Sequence, residues 1–115
     1  MSVTIYHNQK CSKSRQTLEL LEKHATGISV IEYLKNPPTV NKLKEILSVL
    51  KFSPRDLMRK KEPQYKDLGL NNSDLSDEDL IDFMIKYPTL IERPIVLANG
   101  KAALGRPPEN ILNIL

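Results

Sequence analysis

Cys11 is the one cysteine of the chain, and it stands where a short apolar run, Val3 to Tyr6, gives way to a helix beginning near Ser12. A thiol at a helix N-terminus faces backbone N–H groups without intrahelical partners and the positive end of the helix dipole. Both favour thiolate over thiol. Nucleophilic attack is the chemistry that such a position supports. A lone cysteine is commonly no more than a small buried hydrophobe. Here Asn8, Gln9, Lys10, Ser12, Lys13, Ser14 and Arg15 surround it with polar and basic side chains, poor company for a core residue.

Three of the five arginines fall where they could act on that thiol. Arg93 and Arg106 flank a hairpin at the outer ends of its two strands, so the turn at Asn99-Gly100 should make them neighbours beside Cys11. Arg59, within Leu57-Met58-Arg59-Lys60-Lys61, comes from a helical stretch and could close over the same place. Guanidinium groups at a thiolate depress its pKa and hold an oxyanion through forked hydrogen bonds that lysine cannot reproduce. Taken singly, each arginine reads as an ordinary solvated ion-pair partner. Three at loop or element ends around one reactive thiol point to an anion site.

The elements that must position these residues are well punctuated. A first strand holds Val3 and Ile5, and Leu18, Leu21 and Ala25 give the apolar stripe of a first helix that Gly27 can end in a left-handed cap. A second strand runs from Ile28 to Leu34. Asn36-Pro37-Pro38 breaks it, and Thr39 is an N-cap for a helix with Val40, Leu43, Ile46, Leu47 and Leu50 at helical spacing. Ser53 and Pro54 start another helix as N-cap and first helical residue. Ser76, followed by Asp77, Glu78 and Asp79, starts one that turns Leu80, Ile81, Met84 and Ile85 inward and ends at Pro88. Ile95-Val96-Leu97, Asn99-Gly100 and Lys101 to Leu104 make a β-hairpin. A closing helix, Pro108 to Leu115, should bury Ile111, Leu112 and Leu115.

The order strand, helix, strand, helices, strand, strand, helix packs most simply as a four-stranded mixed sheet, a βαβ unit joined to a ββα unit. That is an α/β, thioredoxin-like plan: one domain over residues 1–115, with Thr39 to Pro88 as a helical insertion. At 115 residues the chain can bury a core without staples. One cysteine rules out an internal disulfide and fits a reducing, cytoplasmic compartment. No run approaches the roughly 20 apolar residues of a membrane span, and no export signal is evident. The net charge of +3 is spread over interspersed acidic and basic residues, with no tryptophan and 5% aromatics. This argues against a base-stacking nucleic-acid surface. Two histidines and one cysteine without ligand spacing imply no metal.

The residues Ile5-Tyr6-His7-Asn8, Cys11-Ser12-Lys13-Ser14-Arg15, Tyr33-Leu34 with Pro37-Pro38, Leu57-Met58-Arg59-Lys60, Leu68-Gly69-Leu70, Leu80-Ile81-Asp82-Phe83-Met84, Ile91-Glu92-Arg93-Pro94-Ile95-Val96 and Gly105-Arg106-Pro107 together resemble the ArsC-type, glutaredoxin-coupled arsenate reductases. The resemblance implies a thioredoxin-like fold with a helical insertion, and a cis Arg93–Pro94 bond beside the thiol. It also implies that Cys11 attacks arsenate while Arg59, Arg93 and Arg106 hold the anion. By the same resemblance His7 tunes the thiol, and Asn8 and Ser14 line the anion loop; Gly105 stands where some members have a further cysteine. His24, near the end of the first helix, matches nothing functional and reads as a favourable helix-end charge.

The implied reaction needs no bound cofactor, with glutathione as co-substrate and glutaredoxin as the partner that clears a mixed disulfide. The chain is expected to act as a monomer. Without a resolving thiol it fits this glutathione route rather than a thioredoxin-coupled one, which uses several cysteines in one chain. Two alternatives stay open. The Spx-type regulators share the fold and bind RNA polymerase, but they sense oxidation through a CxxC pair whose fourth position is Ser14 here. A glutathione-dependent thiol oxidoreductase with another substrate would use the same low-pKa thiol in a basic pocket.

Overall fold

The computed structural model describes residues 2–115, which fall into two units. One takes in the described residues up to Asn36 together with Arg93–Leu115, and the other is Pro37–Glu92.

The first unit is a mixed four-stranded sheet in the order β2-β1-β3-β4, from β1 (Val3–His7), β2 (Ile28–Glu32), β3 (Ile95–Ala98) and β4 (Lys101–Leu104). β1 and β2 run parallel, with Val3 opposite Ile28 and His7 opposite Glu32, and α1 (Ser12–His24) joins them. β3 lies antiparallel to β1, Tyr6 opposite Ile95. β3 and β4 form the expected hairpin. Its turn residues Asn99 and Gly100 have φ of 54° and 70°, the pair of positive values that a two-residue turn matched to the twist of the strands requires. The sheet, its order and its helices are those of a thioredoxin-like α/β fold.

One face of the sheet supplies Val3, Ile5, Val96 and Ala98 to a core closed by Leu21 of α1 and by Ile111 and Ile114 of the closing segment. Each such aliphatic side chain gains about 1.5–3 kcal/mol on burial, so the start of α1 is held against the sheet by its own body. The inward residues of α1 are Ser14, Thr17 and Leu21 rather than the stripe Leu18, Leu21 and Ala25. Leu18 and Ala25 pack at the margin of that core. At Ser14 and Thr17 the inward side chains are short and hydrogen-bonded, to His7 and to the Lys13 and Gly105 carbonyls.

The closing segment also departs from expectation. Pro108–Ile114 is a 3₁₀ helix, and it buries Pro108, Ile111 and Ile114, while Leu112 is 41% exposed. With three residues per turn every third side chain shares a face, so the inward set moves off Leu112, while Leu115, half-buried, packs at the margin of the core. β2 stops at Glu32 and not Leu34, because the Lys35 and Asn36 N–H groups both donate to the Glu32 carbonyl, at 3.0 and 2.9 Å. α1 ends in an extended Ala25, leaving Gly27, with φ of 67°, to turn the chain into β2 rather than to cap the helix. The Arg93–Pro94 bond is cis, as expected, and Arg106–Pro107 is cis too.

In the second unit α2 (Val40–Leu50) starts at Thr39, whose side chain accepts from the Lys42 N–H. α4 (Asp77–Lys86) opens in a reciprocal Ser76–Asp79 capping box, which satisfies two backbone donors at once. Ser53 and Pro54 start only one 3₁₀ turn, Pro54–Leu57, and a short α3 (Pro63–Asp67) follows that the sequence did not announce. Pro88 opens a further 3₁₀ turn, Pro88–Leu90, after α4 has ended. An isolated antiparallel bridge pairs Met58 with Ile91. It is extended by bonds of 2.7 Å from the Arg59 N–H to the Leu90 carbonyl and from the Glu92 N–H to the Leu57 carbonyl. Among the described residues no helix is long and apolar enough to cross a membrane.

Candidate active site

β1 runs out at His7, and after an intervening Asn8-Gln9-Lys10 Cys11 is the N-cap of α1, in an extended conformation. The loop between them is tied at nearly every polar group. The Cys11 N–H donates to the Asn8 carbonyl at 3.0 Å, and the Lys10 N–H to Asn8 Oδ1 at 3.0 Å. The Asn8 N–H donates to Ser14 Oγ at 3.0 Å. Arg15 reaches back to the Gln9 carbonyl at 2.9 Å. A short loop so bonded gives Cys11 one position instead of many. Its half-buried sulfur stands at the head of α1, where the N–H groups of Lys13 and Ser14 face it.

Four influences set the charge of that sulfur. Burial is the largest, and it pushes the thiol up. Against it act the Ser14 N–H, the hydrogen bond and charge of the Arg93 guanidinium, and the Lys13 N–H, and together they hold the Cys11 pKa below the ordinary thiol value. Arg106 Nη1 lies 4.0 Å from Cys11 Sγ, the outer limit for a hydrogen bond to sulfur. The same Nη1 donates to the Arg93 carbonyl at 3.0 Å. The two arginines are therefore neighbours at the thiol, as the hairpin required.

The direction of this shift gives a pH prediction. The rate of Cys11 alkylation should rise with a midpoint below that of a free thiol, and Arg93→Ala should move the midpoint up, since burial would then meet less opposition. The linkage sign agrees: with the folded pKa depressed, the stabilisation is complete above the ordinary thiol pKa and is lost as pH falls through the folded midpoint. Alkylation rates across pH, with thermal unfolding in parallel, check both. A wild-type midpoint at the free-thiol value would remove the basis for nucleophilic attack at neutral pH.

His7 is buried and sits behind the loop, its Nδ1 2.7 Å from Ser14 Oγ. Burial lowers its pKa most, Glu32 opposes that, and Arg15 adds to it. A neutral imidazole bonded to Ser14 bears on the sulfur only by fixing Ser14, whose N–H does face it. Ser14 is itself fully buried, with its hydroxyl taken up by His7 and Asn8. That leaves its backbone N–H as the group it turns to the sulfur. Asn8 likewise uses its side-chain oxygen to hold the loop.

Arg59 belongs to the second unit. There its Nη1 pairs with Glu62 Oε2 at 2.8 Å and its Nε lies 3.7 Å from Glu92 Oε1. Two carboxylates thus fix the guanidinium on the bridge formed by Met58 and Ile91. Sequence reasoning missed Thr17 and Asn110, which flank the Arg106 segment, and singled out Gly105 only through the family resemblance. Of the two missed, only Thr17 left a trace, as a lone hydroxyl at the spacing of an inward helix face. Among the described residues no three His, Cys, Asp or Glu side chains gather to hold a metal ion.

The ArsC family model matches residues 6–114. The chain is 51% identical to the uncharacterized protein YfgD of Escherichia coli (strain K12), over 98% of this chain and 96% of that one. It is 48% identical to an arsenate reductase of Neisseria meningitidis serogroup B, over 98% and 97%. Among solved structures, an arsenate reductase from Vibrio cholerae superposes with a TM-score of 0.97 at 52% identity, covering 100% of this chain and 98% of that one. With nearly the whole length matched in sequence and in fold, the chain belongs to the ArsC family.

Proposed function

We propose that this protein is an arsenate reductase in which Cys11 is the nucleophile, Arg93 and Arg106 hold the anion, and glutathione and glutaredoxin supply the electrons. The observation behind this reading is a thiol of lowered pKa with two guanidinium groups beside it. An arsenate oxyanion needs both at once, a nucleophile and a cationic cradle. The names of close relatives support the same substrate.

In this scheme the Cys11 thiolate attacks arsenic(V) and displaces one oxygen as water, giving a thiol–arsenate adduct. The arginines and the N–H groups at the start of α1 balance the charge on the remaining oxygens. A glutathione thiol then adds to the adduct. Formation of a Cys11–glutathione disulfide delivers two electrons, and arsenic leaves as arsenite, arsenic(III). Reduced glutaredoxin takes the glutathione by thiol–disulfide exchange and restores Cys11. We extend to Arg59 the third anion-binding role that the family resemblance gives it, while His7, Asn8 and Ser14 shape the loop. The reading puts the protein in the cytoplasm, acting as a monomer with no bound cofactor.

Arsenite release measured with arsenate, glutathione and glutaredoxin tests this directly. Each arsenite should appear with one equivalent of oxidised glutathione, and omission of glutaredoxin should stall the protein as a Cys11–glutathione disulfide that mass spectrometry detects. Tight binding to RNA polymerase with no arsenate-dependent consumption of glutathione would replace the reductase with an Spx-like adaptor.

A further inference from the structure

The peptide segment that bears Arg106 is gripped from both sides by residues that neither build the sheet nor touch the sulfur. Thr17 is fully buried on α1. Its hydroxyl lies 2.8 Å from the Lys13 carbonyl and 3.4 Å from the Gly105 carbonyl, so one proton serves a short and a long arm. Gly105 fits there only because it lacks a side chain. A Cβ would stand 2.8 Å from Pro94 Cγ and 2.9 Å from Thr17 Cγ2, and closer still to Thr17 Oγ1. Neither a proline ring nor a β-branched side chain inside a helix can swing aside. The Gly105 N–H completes the grip by donating to the Pro94 carbonyl at 3.0 Å.

On the far side the Arg106 carbonyl accepts from Asn110 Nδ2 at 3.0 Å. Asn110 is held in turn by its own N–H on the Pro107 carbonyl, also at 3.0 Å. Arg106 is exposed, and an exposed arginine has much rotamer freedom to lose when it orders on an anion. Fixing its backbone on both flanks, with Nη1 already on the Arg93 carbonyl, removes part of that loss before the anion arrives.

We propose that Thr17 and Asn110 are positioning residues for Arg106, clamping the Gly105-Arg106 peptides against α1 and the closing 3₁₀ helix so that the guanidinium is preset to bind an oxyanion at Cys11. The inference rests on the anion-binding role given to Arg106 above. It extends the site to residues on the far side of α1 and in the closing segment.

Protection of Cys11 from iodoacetamide by added oxyanion measures anion binding without turnover, with arsenate, phosphate and sulfate as the probes. Thr17→Val and Gly105→Ala should raise the half-protecting arsenate concentration about three- to ten-fold, and Asn110→Ala about two- to three-fold, the range for loss of one hydrogen bond. Thr17→Ser should restore most of the wild-type value. The pH midpoint of alkylation without oxyanion should stay put, because the Ser14 N–H, Arg93 and the Lys13 N–H set it. In an Arg106→Ala background each substitution should add nothing, since residues that act through a third do not contribute independently.

Wild-type protection in Thr17→Val and Asn110→Ala overturns the proposal, as does full additivity with Arg106→Ala or a moved thiol midpoint. Should Thr17→Val or Gly105→Ala fail to fold, the surface variant Asn110→Ala and its double with Arg106→Ala decide alone. If phosphate or sulfate protects the wild type and arsenate does not, the reductase reading falls and the clamp is judged with the protecting anion. If no oxyanion protects the wild type, the clamp falls as well.

Discussion

Cys11→Ser is expected to show no arsenite release above background, with the fold and its thermal midpoint nearly unchanged. Serine fits the extended N-cap position of α1 at least as well as cysteine, since its oxygen is a favoured acceptor for the first helical N–H groups. The local structure therefore has no reason to move. The chemistry fails twice over. A hydroxyl stays protonated at neutral pH even where the Arg93 guanidinium and the N–H groups at the start of α1 lower the pKa of a thiol. An oxygen ester of arsenic, if it formed, could not take up two electrons by this route, because glutathione would have no sulfur partner with which to close a disulfide. Arsenite production and mass spectrometry after incubation with arsenate and glutathione measure both losses. A Cys11→Ser protein that still released arsenite, or still became glutathionylated on arsenate addition, would move the nucleophile elsewhere, and this chain has no second cysteine to receive it.

The contrast between what could and could not be read in the sequence has a simple physical origin. Strong local signals survived into the structure. Thr39 and Ser76 do cap their helices, and Asn99-Gly100 makes the hairpin turn, because capping and turn chemistry are settled within three or four residues of chain. Errors gathered where tertiary packing chose between close alternatives. Pro108–Ile114 has apolar residues that suit either an α or a 3₁₀ period, and only docking of Ile111 and Ile114 into the core selects the second. β2 lost its last two residues to a turn around the Glu32 carbonyl that leaves Leu34 exposed.

The site divides in the same way. Cys11 and the pairing of Arg93 with Arg106 were legible because each depends on one junction or one hairpin. The roles of Ser14 and His7 were not, because a serine near an anion loop can offer its hydroxyl or its N–H. Here His7 and Asn8 occupy the hydroxyl, so the N–H alone faces the thiol. Thr17 and Gly105 are 88 residues apart in sequence. Their close approach has no local signature, and a glycine without a positive φ requirement looks like any other until the neighbouring side chains are in place.

Arg93→Lys should lower kcat/KM for arsenate by about a hundred-fold, and Arg106→Lys by about ten-fold, although neither changes the net charge. Removal of one donor aimed at developing charge commonly costs about 10²–10³ in rate, and the half-buried Arg93 approaches that range. Arg106 is exposed, where water competes with the anion and a charged contact is worth less. Lysine keeps the positive charge but loses the planar fork, and a guanidinium here does two things at once. Arg106 bonds the Arg93 carbonyl while lying near the sulfur; Arg93 bonds the sulfur itself. A single ammonium on a flexible stem cannot hold two such directions. The thiol midpoint should rise less in Arg93→Lys than in Arg93→Ala, because the Coulomb attraction survives in part. Steady-state kinetics with the alkylation profile separates these effects: loss of kcat/KM with a nearly preserved midpoint marks a lost oxyanion fork, and a fully active pair of lysine variants would reduce both arginines to surface charges.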